Sequence, residues 1–495
     1  MSAFTKLQQQ FKRLSRIQHA AAICGWDQAA MMPEGGNNAR GEALAELSVI
    51  SHQLLTAPEL DDWFEEAHEE ITDALDIANL ATMKRAWQHA TLLPQDLVEA
   101  TSIANSRCEH AWRQQRKNND WQGYNTNLKE VVRLAREQAG YFAEHAGLNR
   151  YDALMDIYEP GMSSHKVDNL FGEIKTWLPG LIDEAEEIQK TRQVITPQGP
   201  FPTEQQRQLG LNIMGLLGFD FQHGRLDTST HPFCGGVPED VRITTRYDEQ
   251  NFMSALLGVI HETGHARYEQ NLPRTLAGLP VGQARSMGVH ESQSLFFEMQ
   301  LARSLPFTRL IAPRIAEAFQ RQQDPAFSAD NLYQLNTRVK RGFIRVDADE
   351  VTYPAHVILR YEIERELIEG GIDTEHIPDL WNEKMESLLG LSTAGKNDIG
   401  CMQDIHWAGG AFGYFPSYTL GAMYAAQLFN AAQQHLPGLE EKIGNGDLGG
   451  LFEWLNKAIW SKASTLSTDE LMRQATGEAL NSHYFKQHLQ QRYLA

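Results

Sequence analysis

His261 and His265 stand four residues apart in "VIHETGHARYEQ", with Glu262 directly after the first. On a helix that spacing puts both imidazoles on one face, one turn apart, so two ring nitrogens can reach a single cation. Glu262 is turned too far round to ligate comfortably, but it is placed to contact a water held on such an ion and to act as its general base. The chemistry implied is metal-assisted hydrolysis. The competing explanation is a helix that carries two histidines by accident, each needing its own hydrogen-bond partner if buried.

A hydrolytic ion needs a third protein ligand and one open position. Glu269 lies eight residues after His261, a rise of about 12 Å at 1.5 Å per residue, too far to share an ion bound at about 2 Å. The ligand must come from another segment. "GVHESQSLFFEMQLARS", Gly288 to Ser304, offers Glu291, His290 and Glu298 on a second expected helix, and spacing alone does not choose among them.

The elements that must position these groups are mostly helices. Apolar residues recur every three to four positions in the segments 41–55, 59–90, 125–146 and 169–192, and again in "VILRYEIERELIEGGI", which stops at a glycine pair suited to a helix C-terminus. The run "NFMSALLGVI" before the histidines continues the pattern. The best strand is "EDVRITTRYD", Glu239 to Asp248, a β-branched alternation just ahead of the histidine helix. "TPQGPFPTEQQ", Thr196 to Gln206, reads as a turn-rich loop. The expectation is a mainly α fold with a small β-sheet beside the HExxH helix, and no internal repeat divides it.

Composition narrows the classes. The chain has 495 residues, and 64 acidic against 44 basic side chains give a net charge of −20, which argues against tracking a phosphate backbone. Four widely separated cysteines, Cys24, Cys108, Cys234 and Cys401, make a disulfide framework improbable. Neither a signal-peptide core nor an 18-residue apolar run is found, so a cytoplasmic protein without nucleic-acid or membrane partners is expected.

Beside "HETGH" stand "HPF" (His231 to Phe233), "DVRIT" (Asp240 to Thr244), "HESQ" (His290 to Gln293), "IRVDAD" (Ile344 to Asp349) and "GCMQDIHW" (Gly400 to Trp407). In order and approximate spacing these six resemble the motifs of the carboxypeptidase Taq family of zinc metallocarboxypeptidases, along nearly the whole chain. "WDQAAMMPEGG" and "YDALMDIYEPGM" add to the likeness, although relatives often carry a second proline in the former. The resemblance implies one metallocarboxypeptidase domain over residues 1–495, a large helical saddle-like body with a deep active-site cleft between two lobes, usually a homodimer. It implies His261, His265 and Glu291 as ligands of one Zn2+ per chain, with Co2+ able to substitute, and Glu262 as the catalytic acid/base.

Such an enzyme hydrolyses single C-terminal residues from peptides with a free C-terminus; the resemblance implies broad specificity with proline disfavoured. Its tetrahedral oxyanion needs preorganised donors, for which His406 and Tyr418 in "QDIHWAGGAFGYFPSYTLG" are the candidates; a packed aromatic loop is the alternative. The substrate carboxylate suits the bidentate fork of a guanidinium, and Arg345 is the leading candidate, with Arg242 and Arg246 in reserve. An ion pair of Arg345 with Asp347 or Asp349 is the structural alternative. Asp240 is a candidate partner for the free nitrogen of a ligating imidazole. A metallo-endopeptidase or peptidyl-dipeptidase of similar fold, or an inactive helical binding protein, are the other readings.

Overall fold

The 3.6-residue apolar period becomes helix where it was legible: Asn37–Leu55, Trp121–Ala146, Ser164–Gln189 and Tyr353–Glu369. The computed structural model describes residues 1–494, and among them the only strands form one three-stranded sheet. None of the described helices is long and apolar enough to cross a membrane, and the four cysteines are free. The segment 59–90 is two helices rather than one, Glu59–Glu70 and Ala74–Thr91. Ile71 is extended there, and the Asp73 carboxylate accepts from the Leu75 amide (2.9 Å), giving the second helix its own start. The turn-rich loop is shorter than expected, because a helix begins at Thr203, directly after Pro202.

The chain forms two compact units, each assembled from separate stretches. The first comprises Met1–Ala90, Val194–Asn336 and Tyr424–Leu480; the second comprises Thr91–Gln193, Thr337–Met423 and Asn481–Ala495.

The sheet belongs to the first unit. Its strands β1 (Gly224–Thr228), β2 (Cys234–Val237) and β3 (Asp240–Thr245) lie in the order β1-β3-β2, with β3 parallel to β1 and antiparallel to β2. In register, Leu226 and Cys234 both pair with Ile243. Alternation turns Val241 and Ile243 inward, where they join Leu226, Met214, Phe219, Val259 and Ala266 in one buried cluster. Val259 and Ala266 flank the two histidines, so this cluster seats the histidine helix on the sheet. Each fully buried aliphatic side chain there contributes about 1.5–3 kcal/mol.

That helix, Phe252–Gln270, starts at Asn251, whose side chain accepts from the Ser254 amide (3.3 Å), and Phe252 anchors it by packing on Phe201, Phe319 and Phe327. Next to it runs the "HESQ" helix, Met287–Leu295, capped by Ser286 and continued by a π-helical stretch, Phe296–Ala302. The second unit is organised round Tyr353–Glu369, a helix buried on nearly every side and closed by Gly370 in the left-handed region (φ 84°). One stripe of it, His356, Arg360 and Glu364, carries polar groups that are fully buried.

Candidate active site

The histidine helix and the "HESQ" helix run antiparallel, as the order of their contacts requires: His290 and Glu291 meet His265, and Glu298, seven residues on, meets His261. Seven residues is nearly two turns, so Glu291 and Glu298 share one face of their helix. Gly264 is what lets the two backbones approach. A Cβ there would stand 2.4 Å from the Gln293 carbonyl oxygen and 2.7 Å from the Ser294 Cα. On the other side, Gln293 is held by the buried Trp460 indole, which donates to its side-chain oxygen (2.8 Å).

His261, His265 and Glu291 each offer one ligand atom, all within 4.8 Å of one another. The Nε2 of His265 lies 3.5 Å from Glu291 Oε2, about the edge of a tetrahedron with ligand bonds near 2.1 Å. Two imidazole nitrogens and one carboxylate oxygen form a donor set suited to zinc. Glu298 accepts from His261 Nδ1 (3.0 Å) and from Arg303 Nη2 (2.8 Å). His290 bridges the Nδ1 of His265 (2.6 Å) and the carboxylate of Glu269 (2.8 Å).

The residues therefore fit a divalent cation, and the electrostatics agree. Burial opposes charge on His261, but its bond to Glu298, with Glu291 and Glu262 nearby, pushes the imidazole up to about 10. The field that favours a proton at that ring favours any cation at the same place. On Glu298 burial is outweighed by Arg303 and His261, which hold it down at about 2. Burial, then His290 and His261, keep His265 well below the usual range and so neutral, as a ligand must be. Glu262 is 8% exposed, and burial, partly offset by His261, pushes it up to about 7, in the range of a group that must take and return a proton.

In the second unit, Arg345 lies in a short turn (Arg345–Asp347) and donates from Nε (3.0 Å) and Nη2 (2.8 Å) to one oxygen of Asp404, and from Nη1 to Tyr353 Oη (2.6 Å). Arg360 takes the other Asp404 oxygen through Nε (2.7 Å). Despite burial, the two guanidinium groups hold Asp404 far below the carboxylate range. His406, lowered to about 4 by burial and by Arg345 and Arg360, and His356, lowered to about 3 by burial and Arg360, are neutral near pH 7. Two guanidinium groups and one carboxylate thus leave one net positive charge in a buried place. Tyr418 faces Arg345, with the guanidinium 4.9 Å from its ring centroid, and its hydroxyl is 3.3 Å from His406 Nε2.

The sequence-expected residues therefore fall into two groups. His261, Glu262, His265 and Glu291 come together in the first unit, and Arg345, His406 and Tyr418 in the second. Some pairings differ from expectation. Arg345 is paired with Asp404 rather than with Asp347 or Asp349; Asp349 instead accepts from the Lys340, Val351 and Thr352 amides. Asp240 does not back an imidazole: both its oxygens accept from Arg242, whose guanidinium stacks on Trp26 at 4.5 Å. Arg242 is thereby committed to a sheet contact, and Arg246 lies beyond the end of β3. His231 is exposed and its carbonyl accepts from Ser229. Asp404 and Arg360 were missed, although His356, Arg360 and Glu364 at i, i+4 and i+8 in an apolar helix mark a buried polar stripe.

The family model described as carboxypeptidase Taq (M32) metallopeptidase matches residues 6–493. Thermostable carboxypeptidase 1 of Thermus thermophilus is 36% identical over 506 aligned positions, covering 100% of this chain and 99% of the relative. Carboxypeptidase 1 of Bacillus subtilis is 34% identical, covering 97% of this chain and 96% of its own. Among solved structures, Trypanosoma cruzi metallocarboxypeptidase 1 superposes with a TM-score of 0.98 at 47% identity, covering 100% of this chain and 99% of that one. The Pyrococcus furiosus carboxypeptidase gives 0.95 at 32% identity, covering 100% and 99%.

Proposed function

Because this chain belongs to the carboxypeptidase Taq (M32) metallopeptidase family and is a peptide-hydrolysing metallocarboxypeptidase, we propose that it releases single residues from free C-termini, broadly and with proline disfavoured. The whole chain acts as one catalytic domain, as a homodimer in the cytoplasm.

His261, His265 and Glu291 hold the ion, zinc with cobalt able to substitute. When bound, such an ion lowers the pKa of water toward neutrality and polarises a carbonyl oxygen. Glu262 takes the proton of the attacking water and returns it to the departing amine nitrogen, two transfers that one carboxyl group with a pKa near neutrality performs in turn. His406 and Tyr418 donate hydrogen bonds to the tetrahedral oxyanion, and Arg345 binds the terminal carboxylate. Tyr418 carries an O–H; neutral His406 can donate from only one ring nitrogen, and Nδ1 is buried with no partner.

The observation that carries the reading is the convergence of His261, His265 and Glu291 beside a buried Glu262. The surplus positive charge round Arg345 supports recognition of a free carboxylate rather than an internal peptide. Digestion of a mixed peptide library, followed by mass, tests it. Stepwise loss of single C-terminal residues with wild type, absent with Glu262→Gln, is the expected result; internal fragments or released dipeptides would replace it with an endopeptidase or peptidyl-dipeptidase. Arg345→Ala hydrolysing C-terminally amidated and free peptides in the wild-type ratio would remove Arg345 from carboxylate recognition.

A further inference from the structure

His290 has no task in the reaction as described, yet it sits in the first unit between a ligand and a carboxylate that the rise of the helix keeps from ligating. Its Nε2 is 2.8 Å from Glu269 Oε1, and its Nδ1 is 2.6 Å from His265 Nδ1. The carboxylate can only accept, so His290 donates to it from Nε2. A His265 that ligates through Nε2 carries its one proton on Nδ1, and the atom placed to accept it is His290 Nδ1 (2.6 Å). The Nε2 of His265, on the side of Glu291 (3.5 Å), is left with its lone pair free.

From this geometry we propose that Glu269 and His290 are positioning residues, a carboxylate–imidazole relay that locks His265 in the tautomer able to ligate. The inference rests on the metal reading of His261, His265 and Glu291. His261 reaches the same end by a shorter route, since Glu298 accepts directly from its Nδ1 (3.0 Å). The difference follows from the helix. Glu298 projects onto His261 from the π-helical stretch, whereas the segment facing His265 presents His290, and Glu269 lies one turn further along the histidine helix itself. A carboxylate four residues after a histidine on the same helix is its i+4 neighbour; here the second imidazole is inserted between them. Were the proton of His290 on Nδ1 instead, His265 Nδ1 would have to accept it, the proton of His265 would lie on Nε2, and the ring would be lost as a ligand.

The test is the zinc affinity of the full-length protein, read by competition with a chromophoric chelator, with circular dichroism and urea unfolding to confirm folding. His290→Phe removes the acceptor and Glu269→Leu the group that orients it. Each is expected to weaken zinc binding about 10- to 100-fold, as loss of a ligand's hydrogen-bond partner does. His290→Gln, whose side-chain carbonyl can accept from His265 Nδ1, recovers most of that loss. Because Glu269 acts through His290, adding Glu269→Leu to His290→Phe weakens binding no further. Wild-type affinity in folded His290→Phe, or a His290→Gln as weak as His290→Phe, overturns the relay. His261→Ala is the separate check on the premise: if it leaves zinc binding intact, the metal reading fails and the relay with it.

Discussion

Gly264 gives the sharpest test of how the site is held. In Gly264→Ala the new Cβ would start 2.4 Å from the Gln293 carbonyl oxygen, and contacts under 3.0 Å are essentially never seen, so the backbones must part by at least 0.6 Å. To reach an ordinary carbon–oxygen contact of about 3.3 Å they must part by about 0.9 Å. Both opposing atoms belong to the main chain, so no side-chain rotation relieves the clash. Glu291 is two residues from Gln293 on the displaced helix and shifts with it away from His265. Overpacking costs about 1–3 kcal/mol, and the better helix propensity of alanine returns about 1 kcal/mol, so global stability falls by only about 0–2 kcal/mol. The ligand geometry suffers more, because a displacement near 1 Å can cost on the order of 100-fold in rate. Gly258→Ala is the internal control: it lies on the same helix with nothing within 4 Å of its built Cβ. Urea unfolding, chelator competition and kcat/KM on a free-C-terminus peptide would be measured for both variants. Gly258→Ala should match wild type in zinc affinity and rate, and Gly264→Ala should lose at least tenfold in both while still folding. Equal zinc affinity and rate in the two variants would refute the claim that close helix approach sets Glu291.

Other perturbations test the remaining parts. Glu350 accepts from His488 (2.6 Å), Arg492 (3.3 Å) and Tyr493 (2.7 Å); burial would raise it, but His488 and Arg492 hold it at about 2 instead of 4.5. A depressed carboxylate stabilises the fold above its unfolded pKa and loses that contribution as pH falls toward the folded one. Glu350→Gln should therefore cost about 3–5 kcal/mol at pH 7, with the gap to wild type shrinking between pH 5 and pH 3; a constant gap in urea titrations would contradict this. Arg345→Lys cannot serve both Asp404 oxygen and Tyr353 as the planar fork does, and loss of a charge-assisted hydrogen bond of about 1.5–3 kcal/mol should lower kcat/KM for free-C-terminus peptides roughly 10- to 100-fold. Unchanged kcat/KM would mean the fork is not used. Zinc added to chelator-stripped protein at 1,000 times its Kd should raise unfolding stability by about 4 kcal/mol, an effect His265→Ala abolishes; equal stabilisation of that variant would place the ion elsewhere.

What the sequence made legible was local. The histidine pair, Glu291 as one of three candidates, β3 and the helix ending at Gly370 all follow from period, spacing or residue type. β1 and β2 did not, since "GRLDT" and "CGGV" are short and two glycines dilute any alternation; they become strands by pairing with β3 on either side. The partners of charged groups were legible least. Asp347 and Asp349 are the counter-ions that the local sequence offers Arg345 as the alternative to a substrate carboxylate, yet the carboxylate it pairs with lies 59 positions away at Asp404. Glu298 could be proposed as a ligand but not as the acceptor for His261, because that assignment depends on how two antiparallel helices are paired.

The interleaving of the two units bears on the order in which the protein can mature during synthesis. The unit that carries the histidine pair is completed only by residues up to Leu480, and the other only by residues from Asn481 onward. Trp460, which grips Gln293 two residues from Glu291, emerges from the ribosome well over a hundred residues after the helix it steadies. A nascent chain therefore carries both histidines and Glu291 long before their supporting wall exists. Neither unit is complete in its first stretch alone, so the apolar surface that meets later residues stays uncovered until those residues have been made. Removal of the residues from Asn481 onward would accordingly strike the folding of the second unit, which carries none of His261, His265 and Glu291.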